Sequence, residues 1–230
     1  MISVLPARLA TWLRESTTHG GRLAFLRHLT NGRHPRAEDA NLYLRLAVQL
    51  ELERPAGARG KSLLLTSPKS QRLIRDAGQE LAGALASQLG QRVLLVDAGP
   101  SAADAPGLAE LLATGPASLA SLVAATPNER VFVLGSGGPT LTPAAVASAH
   151  RTELIERACS SYDVVILLGS PVLQDPRSLV FASLVDHALL LAFDAKTPMT
   201  ELDSSLQALA ARKASGVAVV LARERPTVTP

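Results

Sequence analysis

A chain of 230 residues, 47% hydrophobic and only 3% aromatic, suits one substantial domain in which Leu, Val and Ala pack between helices and a parallel sheet. Its single cysteine, Cys159, excludes an internal disulfide and a cysteine-cluster metal site, and apolar runs such as Val164–Leu168 and Ala188–Phe193 fall far short of the about 20 residues of a membrane span. The net charge of +3 is uneven: residues 1–36 hold Arg8, Arg14, Arg22, Arg27, Arg33 and Arg36 against Glu15, +5 in all, leaving −2 for the remainder.

In chain order, residues 7–30 and 37–54 read as two helices separated by the breaker stretch Thr30–Pro35, and Pro55-Ala56-Gly57 stops the second. Together they make an N-terminal helical segment, residues 1–54. Beyond it, residues 55–230 read as an α/β domain. Short apolar runs there predict strands at Ser62–Leu65, Arg92–Val96, Val131–Leu134, Val164–Leu168, Ala188–Phe193 and Val217–Leu221. Between them lie predicted helices at 72–89, 106–124 (broken near Gly115-Pro116), 142–159, 176–185 and 198–213. Thr142-Pro143 and Thr197-Pro198 each look like an N-cap with proline at the first helical position. Cys159 reads as a small core residue at a helix end. Strand–helix alternation with buried apolar strands argues for a three-layer α/β fold with a mostly parallel sheet.

Ligands of open α/β sheets sit at the carboxyl ends of the strands. The first such loop, Thr66-Ser67-Pro68-Lys69-Ser70-Gln71-Arg72-Leu73-Ile74-Arg75, contains no glycine. A phosphate-wrapping loop needs glycines to bring backbone N–H groups onto the phosphates, a lysine for the terminal phosphates, and a hydroxyl for magnesium. The helix that follows carries Asp76 and Glu80 near its start, and carboxylates there repel an anion.

In spacing, this stretch resembles the bacterial tyrosine-kinase (BY-kinase) family and its MinD/ParA-type P-loop ATPase cousins. The family's strand ends Thr-Ser, is followed after two residues by Pro-Gly-Glu-Gly-Lys-Ser-Thr, and then enters a helix reading Asn-Leu-Ala. Thr66-Ser67 to Leu81-Ala82 reproduces that interval without a gap. On that register Gln71 and Leu73 replace glycines, Ile74 replaces the phosphate lysine, and Arg75 replaces the magnesium-binding hydroxyl. Lys69 falls at the cousins' signature lysine, with Ser70 and Arg72 completing the altered loop. Val96-Asp97-Ala98-Gly99 resembles the family's Val-Asp-Ala-Asp: Asp97 keeps the first acid, and Gly99 replaces the second. Gly107–Leu112 and Val133–Gly137 resemble its "Gly-Leu…Leu-Leu" and "Leu-Pro-Ala-Gly" segments. Tyr162–Pro171 resembles the Walker B stretch, with Leu168 in place of the metal-organising aspartate. Asp39–Arg45 resembles the oligomerisation pattern Glu-x-x-Arg-x-x-Arg, with Asp39, Leu42 and Arg45 at its key positions and the first arginine lost to Leu42. The tail from Arg223 to Pro230 lacks the family's tyrosine cluster, and Tyr43 and Tyr162 are the only tyrosines.

The resemblance implies a P-loop NTPase-like fold and a pseudokinase: no catalytic residue, no metal, no cofactor. It further implies a non-catalytic regulator or scaffold in exopolysaccharide or capsule export. The implied partner is a membrane polysaccharide co-polymerase (a Wzz-like chain-length determinant), with at most weak homo-oligomerisation. Without a visible signal peptide, the expected location is cytoplasmic, at the inner face of the inner membrane through that partner. The basic first segment can steer toward anionic lipid or an acidic partner, or be a solvated surface. Nucleic acid is not expected, since no aromatics interleave the arginines.

The alternative is an unorthodox MinD/ParA-type nucleotide binder for polysaccharide or pilus assembly, taking ATP and magnesium, with Lys69, Arg72 or Arg75 clamping phosphates from a new direction. Other chemistries have little support. Gly135-Ser136-Gly137-Gly138 lacks the third glycine of a dinucleotide fingerprint, with Thr140 in its place. The five histidines have no metal-ligand spacing, and neither Ser160 nor Ser170 sits in a glycine elbow.

Overall fold

The computed structural model describes residues 23–31, 46, 48, 60–99, 106–137, 149–193, 196–214 and 216–224. Their strands form one eight-stranded sheet in the order β1-β8-β7-β2-β6-β3-β5-β4. The strands are β1 (Leu23–Asn31), β2 (Lys61–Thr66), β3 (Val93–Asp97), β4 (Ala124–Ala125), β5 (Val131–Leu134), β6 (Val164–Leu168), β7 (His187–Phe193) and β8 (Val217–Glu224). Every neighbouring pair is parallel except the short β4 against β5.

The central strands are buried on both faces, which is why β2 and β6 read as unbroken apolar runs rather than alternating ones. Leu63 and Leu65 face one layer and Leu64 the other, following the two-residue period of a strand. Helix α1 (Gln71–Leu89) covers the first face with Leu73, Ile74, Ala77, Leu81 and Leu85, joined by Leu46. The second face is covered by α2 (Leu108–Thr114), α3 (Leu119–Leu122), α4 (His150–Ser161), α5 (Arg177–Phe181) and α6 (Met199–Ala211). This is the three-layer α/β arrangement the strand–helix alternation implies.

Helix α1 begins where Ser70 Oγ accepts the Leu73 N–H (3.2 Å), and it ends at Gly90, whose φ of 67° suits glycine. Gly115 breaks the next helical stretch as expected, separating α2 from a short 3-10 turn at Pro116–Ser118. At the head of α6, Thr197 does not cap the helix. Its Oγ1 instead accepts the Phe193 N–H (2.9 Å), and Pro198 stands before the first helical residue. The other expected cap, Thr142-Pro143, lies outside the described residues. Cys159 is buried near the end of α4, and burial, with Asp186 nearby, pushes its thiol up to about 11.

One expectation is overturned. Residues 23–31 form the strand β1 rather than the end of a helix over 7–30, so the segment before residue 55 is not wholly helical and supplies a strand to the sheet. The open side of β8 offers a full ladder of hydrogen-bonding partners, which outweighs local helical preference. Of the expected helix over 37–54, Leu46 and Val48 are described, and both are helical. Among the described residues no helix is long and apolar enough to cross a membrane.

Candidate functional site

The register brings Leu65, Leu168 and Asp97 abreast at the carboxyl ends of β2, β6 and β3, with Thr66 one residue beyond. The loop after β2 is drawn tight by one side chain: Ser67 Oγ accepts the Ser70 N–H (2.7 Å) and donates to the Ser70 carbonyl (3.0 Å). The loop after β6 is tied to it, since Val172 and Leu173 donate their N–H groups to the carbonyls of Ser67 (2.8 Å) and Pro68 (3.2 Å). Behind these loops, Thr66 Oγ1 donates to the Ser170 carbonyl (2.8 Å), and Ser178 Oγ both accepts the Ser170 N–H and donates to the Ser170 carbonyl (2.7 Å). These polar groups are buried and mutually satisfied, so they fix the crevice walls.

The crevice is filled from both sides. Gln71 Nε2 donates to the Gly169 carbonyl (3.0 Å), which stretches its side chain across the space beside Gly99. Leu73 and Ile74 are turned into the core at 2% and 0% exposure. Leu168 is buried against α1, where it packs on Gly78. Asp97 accepts the Gly99 N–H through Oδ1 (3.0 Å) and pairs with Arg75 through Oδ2 (3.6 Å). Burial raises the Asp97 carboxyl above its ordinary value, and the Gly99 N–H and Arg75 only partly offset this.

The remaining loop cations each face an acid. Lys69 Nζ lies 2.6 Å from Glu201 on α6, and Arg72 Nε lies 3.4 Å from Asp76 one turn along α1. Beside the loop, a cavity of about 280 Å³ is lined by Leu73, Leu191, Phe193 and Pro198 together with Lys196 and the Lys69–Glu201 pair. Around the strand ends the structure gathers Gln71, Leu73, Ile74 and Arg75 with Asp97 and Leu168, whereas Ser70 caps α1 and Lys69 and Arg72 turn to Glu201 and Asp76. Asp39, Leu42 and Arg45 lie outside the described residues.

Sequence reasoning passed over three participants. Glu201 carries no motif signal, and Gly169, although inside the Walker B-like stretch, owes its role to a long-range contact with Gln71. Gly78 could have been flagged as a glycine on the apolar face of a helix.

Tyr162 stands at the opposite, amino-terminal end of β6, half-buried beneath the Arg92 guanidinium (5.3 Å) and tilted against Phe132 (5.4 Å). It is therefore remote from the crevice of its own chain.

With this geometry in view, the likeness to solved structures is direct. The kinase domain of the Escherichia coli tyrosine kinase ETK superposes with a TM-score of 0.77 over 99% of this chain and 98% of that one, at 18% identity. The fold is that of a bacterial tyrosine-kinase domain. The chimerical protein CapA2B2 matches with a TM-score of 0.72 over 90% of this chain and 97% of that chain, at 18% identity. The MinD cell division protein of Aquifex aeolicus matches with a TM-score of 0.53 over 70% of this chain and 68% of that chain, at 15% identity, a more distant likeness at the level of the fold. No protein-family model and no curated protein sequence matches the chain.

Proposed function

We propose that this BY-kinase-like chain is a non-catalytic regulator or scaffold that serves exopolysaccharide or capsule export from the inner face of the membrane. The observation that carries the reading is Gln71, whose side chain spans the crevice to the Gly169 carbonyl where the resembling family holds phosphate. The residues present do not fit a magnesium triphosphate. A buried isoleucine stands for the phosphate lysine, Leu168 stands for the carboxylate that organises the metal, and Arg75 meets Asp97 directly. Magnesium demands oxygen ligands, and phosphoryl transfer depends on metal and positioned positive charge. A charge-assisted hydrogen bond contributes about 1.5–3 kcal/mol, so losing the lysine and several amides together weakens a triphosphate by roughly a thousand-fold or more.

The polysaccharide setting and the co-polymerase partner follow from the family resemblance, and the retained fold supplies a surface for docking. The alternative, a nucleotide held by Lys69, Arg72 or Arg75, is favoured by the cavity beside Lys69. It is opposed by the acid facing each of these cations.

Titration calorimetry of the full chain with Mg-ATP is expected to give no saturable heat up to millimolar nucleotide. Purified protein incubated with Mg-ATP is expected to acquire no phosphotyrosine, since Leu168 and Ile74 stand where phosphoryl transfer needs a carboxylate and a lysine. A low-micromolar dissociation constant, or a phosphotyrosine signal abolished by Asp97→Ala, overturns the non-catalytic reading.

A further inference from the structure

We propose that Gln71 and Leu168 are built-in occupants of the crevice, each seated against a glycine that makes room for it, so that the site keeps one filled conformation with no ligand bound. This rests on the non-catalytic reading and adds what holds the crevice shut.

The first pair is Leu168 with Gly78. Gly78 lies in the interior of the 19-residue α1, on its buried face, and its backbone is ordinary right-handed helix with no positive φ. Glycine is unfavourable there relative to alanine, so a requirement for space must outweigh helix propensity. Leu168 uses that space: a β-carbon at position 78 would overlap its Cδ2, with Cγ at 3.5 Å and Cδ1 at 3.7 Å. Leu168 is 7% exposed and enclosed by apolar neighbours, which leaves it little room to swing aside.

The second pair is Gln71 with Gly99. Gly99 likewise has no positive φ, so its glycine is not explained by backbone conformation. A β-carbon there would lie 2.5 Å from Gln71 Nε2, 3.2 Å from its Cδ and 3.2 Å from the Gly169 carbonyl oxygen, so the Gln71 amide is the nearest obstruction and the Gly169 backbone a second. Gln71 Oε1 is buried away from solvent with no hydrogen-bond partner among the described residues, so the amide sits inside the crevice rather than over its mouth. The two pairs involve different strands and meet in one crevice, and in each the larger side chain stands where the resembling family has a ligand-handling group.

Two double-mutant cycles read by thermal unfolding, with Mg-ATP calorimetry on the unaltered chain, test this. Gly78→Ala alone is expected to lower the midpoint by about 3–6 °C through overpacking. In a Leu168→Ala background the same change is expected to raise it by about 2–4 °C, because alanine favours helix and the obstruction is gone. Gly99→Ala is expected to cost about 2–4 °C alone and less than half of that beside Gln71→Ala, the remainder coming from the Gly169 carbonyl. If Gly78→Ala does not fold, recovery by adding Leu168→Ala is the same result. Additive effects in both cycles, or failure of the double variants to recover, overturn the built-in occupants while leaving the non-catalytic reading intact. Saturable Mg-ATP binding by the unaltered chain overturns both.

Discussion

Replacing Leu168 with aspartate is expected to destabilise the protein by at least about 3 kcal/mol, lowering the unfolding midpoint by about 6–12 °C, without creating nucleotide binding. The change would return the acid that the Walker B stretch of the resembling family carries. Leu168 is buried between α1 and the sheet, among Leu65, Ile74 and Ile166 in the same cluster. Removing its methyls forfeits buried apolar contact, and the new carboxylate loses hydration without a cation placed to meet it. Arg75 is not that cation, because its guanidinium is paired with Asp97. Urea unfolding of the purified variant at neutral pH, with and without millimolar magnesium, measures the effect. Lowering the pH is expected to return part of the loss. A buried carboxyl has its folded pKa raised above the unfolded value, so the penalty is present at high pH and fades as pH falls through the folded pKa. A variant as stable as the unaltered chain, or one stabilised strongly by magnesium, would mean that the crevice is hydrated and open to a metal.

The sheet was legible because its strands are buried on both faces. Leu63-Leu64-Leu65, Val93–Val96 and Val164–Leu168 have no polar face to disguise, and Gly90 and Gly115 punctuate the helices between them. The position of the site was legible for a related reason: Thr66-Ser67, Asp97 and Leu168 close three strands that the register sets side by side. What fills the site was not. Nothing adjacent in sequence to Gln71 indicates that its amide reaches Gly169, 98 residues away, or that Lys69 meets Glu201, 132 residues away. Strand β1 was hidden for a different reason. Leu23, Leu26 and Leu29 recur every three residues, which suits a helix, while the partner that makes them a strand lies near the other end of the chain.

That strand changes how the basic leading segment should be tested. Removing residues 1–36 deletes all six early arginines, but it also strips β1 from β8. Eight registered pairs from Leu23↔Val217 to Asn31↔Glu224 would be lost, and the β8 edge left unpaired. At about 0.5–1.5 kcal/mol net per hydrogen bond, this truncation is expected to cost several kcal/mol and to promote association through the bare edge. Its effect on any partner would therefore report folding rather than charge. Removing residues 1–22 spares the strand and takes away Arg8, Arg14 and Arg22 with Glu15. This shorter truncation leaves all the registered β1–β8 pairs in place and is expected to keep its unfolding midpoint within about 2 °C of the full chain. Its binding to vesicles containing anionic lipid is expected to weaken by roughly ten- to a hundred-fold, since each basic side chain near such a surface contributes about 1 kcal/mol. The difference between full and shortened chains should shrink as salt rises, because exposed charges are screened over about 10 Å at 0.1 M. Vesicle flotation across a salt series, with circular dichroism on both truncations, makes the measurement. Equal flotation by the full chain and the 22-residue truncation would remove Arg8, Arg14 and Arg22 from the membrane-proximal role and leave docking to the rest of the chain.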